Sequence, residues 1–519
     1  MAMQVTLSDP VIEVRGWTLD LNRLGEYTLR KRKTPEEIQK EKEELKDKYP
    51  DRKPVVKQYR ETRKTVISVI EKDGERIARF LPGLWPRVQR ELKANGVQYD
   101  IVDKRNPDIR PELDYTAFAG LEFRENQDVA VALIAKCDCG IIETATGFGK
   151  SLILSYLCKA YPTLNIVVTT SSTQVVTTIY DRIRQLIPDE VGIMCAGRDT
   201  TSGKRVVVTT LASLPNIKPD NVHLVFVDEC HNVGDGVAAK ELMKFCWARK
   251  FGFSATPVRN DGSAIVMESL LGPVILRMSY QEAAEAGMVT PMRYTMLPCG
   301  KAPSPAYNLA LPDPIKRRWS YYRNSYRNKI IQRFVQMLTQ QYKGQILVIV
   351  NSIEHAVALH QLLPWFKVVH SGHENRTELR KKFPAEKFPN LDLDQYKLTA
   401  KQLEMTKHAY EKGTLRYAIA TKTWRQGVDM SHLACIIRAD GDVSEIECVQ
   451  VPGRAARLDK FKENAYLIDF SDTFSAWARQ RAEGREAWYK KNQWTCVTFQ
   501  EVLDGLCRQA EGNHDVDNG

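Results

Sequence analysis

Three stretches of the chain carry residue types at spacings suited to phosphate chemistry. The first is Glu143-Thr144-Ala145-Thr146-Gly147-Phe148-Gly149-Lys150-Ser151, a glycine-bearing turn between the apolar Gly140-Ile141-Ile142 and the helix-like Leu152-Ile153-Leu154-Ser155-Tyr156-Leu157. Successive backbone N–H groups of such a turn, with a helix N-terminus behind them, cradle an anion. Lys150 is then placed to reach the β- and γ-phosphates of ATP, and the Ser151 hydroxyl suits Mg²⁺. Thr144 stands where a glycine is usual, and a Gly-Lys-Ser turn is also compatible with an ordinary strand-to-helix connection. The second stretch, Leu224-Val225-Phe226-Val227-Asp228-Glu229-Cys230-His231, is an apolar strand ending in two acids. At the carboxyl end of a parallel strand, Asp228 can hold Mg²⁺ and Glu229 can orient or deprotonate the attacking water. The third, Gln450-Val451-Pro452-Gly453-Arg454-Ala455-Ala456-Arg457, puts two arginines three apart on one face of a turn or helix. Their planar guanidinium forks match phosphate oxygens, although a solvated basic helix start would look the same.

Elements able to position these groups follow from the hydrophobic pattern. Residues 116–300 alternate strands and helices, the pattern of a parallel sheet covered on both faces. Ile166-Val167-Val168-Thr169-Thr170 and Val206-Val207-Val208-Thr209-Thr210 read as strands ending in threonines. Residues 1–115 read as a small α+β module. Val11–Trp17 is a strand, and Lys64–Ile70 turns at Lys72-Asp73-Gly74-Glu75 into Arg76–Phe80 as a hairpin. A helix over Leu84–Leu92 stops at Asn95-Gly96 before the strand Val97–Asp103. Thr34-Pro35 opens a solvated, charge-alternating helix to Lys46, flanked by the basic loop Arg30-Lys31-Arg32-Lys33. Residues 301 to about 330 read as a Pro-rich hinge and a basic, aromatic entry helix containing Lys316–Arg323. Gln345–Val350 and Val368–Gly372 begin a second lobe, in which His370 reads as structural because nothing pairs it with a nucleophile. The helix Trp477–Lys491 interleaves aromatics with Arg and Lys. Such a helix can stack bases, but it more often docks onto a core. From Glu511 the chain reads as an acidic, disordered tail.

Taken in order, the three stretches resemble the superfamily 2 helicases and translocases of the DExH type, from about Phe118 to Asp472. Further stations fit the resemblance. Phe123-Arg124-Glu125-Asn126-Gln127 is similar to the adenine-recognising Q motif, which implies Arg124 and Gln127 as nucleotide contacts. Ser254-Ala255-Thr256 is similar to motif III, which implies coupling of hydrolysis to movement. Ile419–Asp429 is similar to motif V, implying Thr421 on nucleic acid and Gly427 and Asp429 on the nucleotide; Gln450 to Arg457 is similar to motif VI. The resemblance further implies a nucleotide cradle of Thr146, Gly147, Phe148, Gly149, Lys150 and Ser151, with Ser151 and Asp228 on Mg²⁺. It implies catalysis by Lys150, Asp228, Glu229, Gln450, Arg454 and Arg457, and gripping of the nucleic-acid backbone by Thr170 and Thr210. The implied fold is α/β: two tandem RecA-like parallel-sheet domains behind a small α+β amino-terminal domain. Its expected parts are 1–115 accessory, 116–300 ATP-binding, 301–475 carboxyl-terminal, and 476–519 helix and tail. The first of these resembles the module ahead of the motor in phage UvsW-like and XPB-like helicases with a ResIII-type core, which implies DNA, branched, forked or duplex, as partner. An RNA helicase of the DExH type, a restriction-system motor and a non-hydrolysing RecA-like binding protein are the alternatives; the Asp228-Glu229 pair argues against the last.

Composition bounds these readings. The chain of 519 residues, 43% apolar and 27% charged, is too long for one core and has no apolar run near the roughly 20 residues of a membrane span. Met1-Ala2-Met3-Gln4 carries no basic-then-apolar leader, so the expectation is a cytoplasmic protein, in the host cytoplasm if phage-encoded. Eleven scattered cysteines fit reduced thiols, and the lone close pair Cys137-Asp138-Cys139 lacks the further ligands a zinc site needs. A net charge of +11 favours a polyanionic partner, as a motor on nucleic acid requires.

Overall fold

A computed structural model describes residues 3–17, 20–48, 59–72, 74–145, 147–255, 261–301, 311–370, 380–381, 383–384, 386, 388, 390–421, 424, 430–459 and 462–514. They form two units, Met1–Thr144 with Lys150–Arg277, and Ala145–Gly149 with Met278–Gly519.

The amino-terminal module contributes β1 (Met3–Leu7), β2 (Ile12–Arg15), β3 (Glu26–Arg32), β4 (Tyr59–Thr65), β5 (Ile67–Lys72), β6 (Glu75–Phe80) and β7 (Tyr99–Asp103). Five of these make a sheet in the order β5-β6-β2-β1-β7, with β1 and β7 parallel; β3 and β4 form a separate antiparallel ribbon. The expected hairpin is present, with Lys72 opposite Glu75 and Gly74 at φ +75° supplying the left-handed turn. Two expectations are corrected. Lys64–Ile70 is not one strand, because the chain changes sheets at Val66, whose N–H donates to Gly25 O. Arg30-Lys31-Arg32 is not a loop but the end of β3, since the alternation of Tyr27 and Leu29 with polar neighbours suits a ribbon with one covered face. Between β3 and β4, the helix Pro35–Lys48 starts as expected: Glu37 N–H donates to Thr34 Oγ1 (3.2 Å) while Thr34 N–H donates to Glu37 Oε2 (2.7 Å).

The first lobe holds β8 (Cys139–Thr144), β9 (Ile166–Thr170), β10 (Val191–Cys195), β11 (Arg198–Asp199), β12 (Val206–Thr210), β13 (Leu224–Asp228), β14 (Arg249–Ser254) and β15 (Val274–Met278), in the order β11-β10-β12-β9-β13-β14-β8-β15. From β10 through β8 all neighbours run parallel, so their carboxyl ends share one edge. The module is built into this lobe. Ile265 joins the apolar core of the module, while Tyr27, Val66 and Leu81 pack on the core of the lobe. Gly83 lies so close to segment 268–272 that a Cβ there would meet Glu268 O at 2.2 Å, and Arg87 clamps the Glu268 carboxylate.

The second unit holds β16 (Met292–Cys299), β17 (Gln345–Ile349), β18 (Lys367–Val369), β19 (Tyr417–Ala420), β20 (Leu433–Arg438), β21 (Ala465–Asp472) and β22 (Thr495–Cys496), ordered β18-β19-β17-β20-β21-β16-β22. The expected boundary at 300/301 therefore falls too late, since β16 pairs along its whole length with β21. Part of the expected hinge, 302–310, lies outside the described residues; Arg318–Tyr322 is a widened helical turn whose Tyr321 is fully buried. The basic aromatic helix is docked. Arg485 bonds Asp469 (2.8 Å) and Asp472 (3.2 Å), Arg327 bonds Asp472 (2.8 Å), and Tyr489 donates to Asp469 (2.6 Å), all fully buried. Trp494 stacks on Tyr489 and Trp488 Nε1 donates to Val443 O. A second terminal helix, Phe499–His514, follows and runs past Glu511 into the stretch expected to be a disordered acidic tail: Val502, Leu503 and Leu506 give it an apolar stripe that completes the core; 515–519 lie outside the described residues.

Two stability outcomes follow. Gly83→Ala forces a backbone clash where module meets lobe and is expected to cost about 1–3 kcal/mol, seen as a lowered thermal midpoint. An unchanged midpoint would refute the close docking. Arg485→Ala leaves two buried carboxylates short of a partner and is expected to cost about 3–5 kcal/mol in denaturant unfolding.

Candidate nucleotide and nucleic-acid site

The phosphate-binding turn leaves the carboxyl end of β8. Gly147 and Gly149 sit at φ +101° and +90°, values open to glycine at no steric cost, while Phe148 between them is buried as an anchor. The helix Lys150–Ala160 starts directly behind. Lys150 Nζ is buried without a hydrogen-bond partner among the described residues, as is Asp228 Oδ1 at the carboxyl end of β13. Burial first, and the Glu229 carboxylate second, push the Asp228 carboxyl up to about 6, while Lys150 pulls the other way. An ammonium and a carboxylate held dry and short of partners beside a helix N-terminus fit a phosphate chain with Mg²⁺. Lys150 would meet the phosphates, and Ser151 and Asp228 the metal.

Glu229 takes the left-handed φ of 49°, turning the chain sharply after β13. That turn brings His231 Nδ1 to 3.0 Å from Ser254 Oγ and 3.3 Å from Glu229 Oε2. His231 was missed as a functional residue in the sequence reading, though it stands in the quoted Asp-Glu-Cys-His run. The signal was its spacing of two from Glu229. His231 is thereby buried between the Asp-Glu strand end and the end of β14, where Ser254 and Ala255 lie; Thr256 is outside the described residues.

Arg124 and Gln127 are brought together. Arg124 N–H donates to Gln127 Oε1 (3.0 Å) and Gln127 N–H to Arg124 O (3.0 Å), around Asn126 at φ 61°. Gln127 is buried and the Arg124 side chain exposed, so the glutamine carbonyl fixes the turn from which the arginine projects. Thr170 and Thr210 are Cα partners at the ends of β9 and β12. Their hydroxyls differ: that of Thr170 is buried and has no partner among the described residues, whereas Thr210 Oγ1 lies 2.9 Å from Ser213 Oγ and accepts Ser213 N–H (3.2 Å).

In the second unit, Thr421 follows β19 and donates its N–H to Val369 O (3.0 Å). His370, as expected, is structural: its Nε2 contacts Tyr396 O at 2.6 Å. Arg454 and Arg457, both half-buried, lie on and just after the turn Pro452–Arg454. Thr290 anchors that segment by donating N–H to Ala456 O (2.7 Å) and its hydroxyl to Arg457 O (3.2 Å). Gln450 ends the widened turn Ile446–Gln450. Thr146, Gly427 and Asp429 lie outside the described residues. No helix among the described residues is long and apolar enough to cross a membrane.

Two family models match the chain: "Type III restriction enzyme, res subunit" over 120–259 and "Helicase conserved C-terminal domain" over 329–459. Among curated proteins, "Putative helicase 22" of a Sulfolobus islandicus filamentous virus is 22% identical over 261 residues, covering 48% of this chain and 42% of that protein. The "DNA 3'-5' translocase XPB2" of Sulfurisphaera tokodaii is 27% identical over 169 residues, 32% of this chain and 37% of that protein. The chain thus spans well under half the length of these curated relatives. Among solved structures, T4 UvsW aligns over 96% of this chain and 99% of that one at 16% identity and a TM-score of 0.38. S. cerevisiae Dbp5 bound to RNA and ADP BeF3 aligns over 78% and 97% at 12% identity and a TM-score of 0.52, which shows the shared fold of two RecA-like domains. With one family model over each parallel sheet, the first spanning the phosphate-binding turn and the Asp-Glu strand end, the chain belongs to the superfamily 2 helicases.

Proposed function

We propose that this protein hydrolyses ATP with Mg²⁺ and uses the cycle to move along DNA, acting on forked, branched or duplex substrates. The observation that carries the reading is that Lys150 Nζ and Asp228 Oδ1 are buried without a hydrogen-bond partner among the described residues, at the same sheet edge as the Thr170 hydroxyl, for which the same holds. Mg²⁺, when bound, neutralises charge on the phosphate oxygens. Lys150 holds the phosphates, Glu229 orients and deprotonates the attacking water, and His231, in contact with Ser254 Oγ, stands beside Glu229 at the same strand ends. Arg454 and Arg457 supply cationic forks for the charge that develops on the transferred phosphoryl group. Thr170, Thr210 and Thr421 grip the sugar-phosphate backbone without reading bases.

DNA is favoured by the amino-terminal ribbon. Its arginines Arg30, Arg60 and Arg63 are exposed, Arg30 beside Glu61 and Arg60 beside Glu37, while its base is fastened to the loops that follow the ends of β13 and β14. Lys64 pairs with Asp235, shortly after the Asp-Glu run. Arg30 N–H donates to Asp261 O, shortly after Ser254-Ala255. A duplex held by this ribbon therefore lies one connection away from residues that handle ATP. The relative from Sulfurisphaera tokodaii, named a DNA translocase, supports the same choice of track.

The test is the ATPase rate with single-stranded DNA, duplex, forked DNA, four-way junction and RNA as cofactors. Forked or branched DNA is expected to stimulate most, and stimulation by RNA as strong as by any DNA would overturn the choice of track. Lys150→Ala is expected to abolish turnover yet keep DNA binding in a gel shift. Arg457→Ala is expected to lower stimulated kcat by about 10³–10⁵ with far less loss of nucleotide affinity, and Arg457→Lys to restore little, because an ammonium is not a planar fork. The two strand-end threonines separate binding from folding. Thr170→Val removes a hydroxyl with no partner and is expected to weaken DNA binding at unchanged stability. Thr210→Val breaks a turn and is expected to cost about 1 kcal/mol in unfolding. Equal behaviour of the two would contradict the assignment of Thr170 to the track.

A further inference from the structure

At the opposite, amino-terminal edge of the first lobe's sheet, a cavity of about 350 Å³ opens between the module and the starts of β8 and β14. Its walls are largely apolar, with Ile12, Trp85, Met243, Leu270, Pro273 and Ile275 among them. Lys250 also lines it. This lysine is 8% exposed, and its ammonium makes one hydrogen bond among the described residues, to Ala248 O at 3.1 Å. An ammonium has three donors, so two are uncommitted in an apolar surround.

The neighbouring charges do not complete the pairing. Arg105 is neutralised by Asp103 and Asp138, and Arg110 by Asp138 and Asp9 (2.6 Å each). Asp9, a carboxylate that acts on Lys250, is committed twice, since it also accepts Asn106 N–H (2.6 Å). The remaining groups acting on Lys250 are the thiols of Cys139 and Cys246. Burial pushes the Lys250 ammonium down to about 8, the signature of a cation lacking its counter-ion.

We propose that this cavity is a binding site for a small monocarboxylate with an apolar body, its carboxylate paired with Lys250 and its chain laid against Trp85 and Met243. At about 30 Å³ for each water-sized group, the space holds about twelve non-hydrogen atoms, the size of decanoate. The ligand would sit far from the nucleotide. Lys250 and Ser254 are four residues apart along β14, roughly 13 Å at 3.3 Å per residue. Its floor is nonetheless rigidly joined to the ATP site, because β14 runs from Lys250 to Ser254 and β8 from Cys139 to the phosphate-binding turn. The site is therefore placed to regulate the motor from the joint between module and lobe.

The experiment is calorimetric titration of the full chain with decanoate, and with 1-octanol as an uncharged apolar control. Saturable binding of one decanoate is expected. Lys250→Met, which keeps the length of the side chain and removes a buried charge, is expected to weaken decanoate at least tenfold and to leave octanol unchanged. Cys246→Phe, which fills the cavity, is expected to abolish both. Absence of saturable decanoate binding would overturn the proposal, as would equal decanoate affinity in the wild type and Lys250→Met. Failure here would leave the ATP-driven reading untouched, since that is read from turnover.

Discussion

Charge held in a dry place without its partner is the constraint on which the first lobe is built. Among the described residues Lys150 Nζ and Asp228 Oδ1 lack hydrogen-bond partners, at groups whose removal from water is costly. Such an arrangement survives only on a frame stiff enough to stop the two groups from relaxing toward water or each other. The frame is a parallel sheet whose central strands β9 and β13 are buried at every residue. Because all strands from β10 through β8 run the same way, every turn at their carboxyl ends opens on one edge. The end of β8, Asp228 and Thr170 therefore assemble with no loop reaching across the lobe. The αL conformation of Glu229 adds to the tension, and the same turn delivers His231 to Ser254.

The opposite edge of the same sheet has a different use. There the amino-terminal module seals the strand starts, with Gly83 against the backbone of 268–272 and Arg110 bridging Asp9 and Asp138. A module that shares its apolar core with the lobe through Ile265 is not an appendage that a motor carries. It is part of the wall of the lobe, and its ribbon reaches forward to Asp235 and Asp261. Forces applied to the ribbon therefore have a short covalent route to the ends of β13 and β14.

The candidate stretches were legible because their pattern is local: a Gly-Phe-Gly-Lys-Ser turn or an apolar strand ending in Asp-Glu announces itself within ten residues. So were the hairpin at Gly74, the capped helix from Pro35 and the helix Trp85–Ala94. What escaped depends on partners distant in sequence. β1 is stabilised by β7, about a hundred residues on, and β16 looks like a strand of the first lobe until β21 takes it up. The basic run Arg30-Lys31-Arg32 reads as a loop because its partner Arg60 and Glu61 lie beyond a helical insertion. Among the site residues, the sequence treated Thr170 and Thr210 alike. Only the turn at Ser213 separates them, by occupying one hydroxyl and leaving the other free.

The two units also treat buried charge in contrasting ways, and the contrast separates structure from function. In the second, Arg327, Arg438 and Arg485 are as buried as any apolar residue, yet each meets an aspartate: Asp472, Asp440 and Asp469 respectively. Burial disfavours ionisation of Asp469, but Arg485 and Arg438 outweigh it and hold its carboxyl below the usual range. Those pairs hold the terminal helix in place and need nothing further. In the first, the carboxyl of Asp228 and the ammonium of Lys250 are shifted toward neutrality, because burial acts on each with too little opposing charge. Evolution of a stable fold alone would remove or pair such groups, since replacement by apolar residues of similar volume is often stabilising. In the readings proposed above, the missing partner of each arrives from outside: phosphate and metal at one edge of the sheet, and an organic anion at the other.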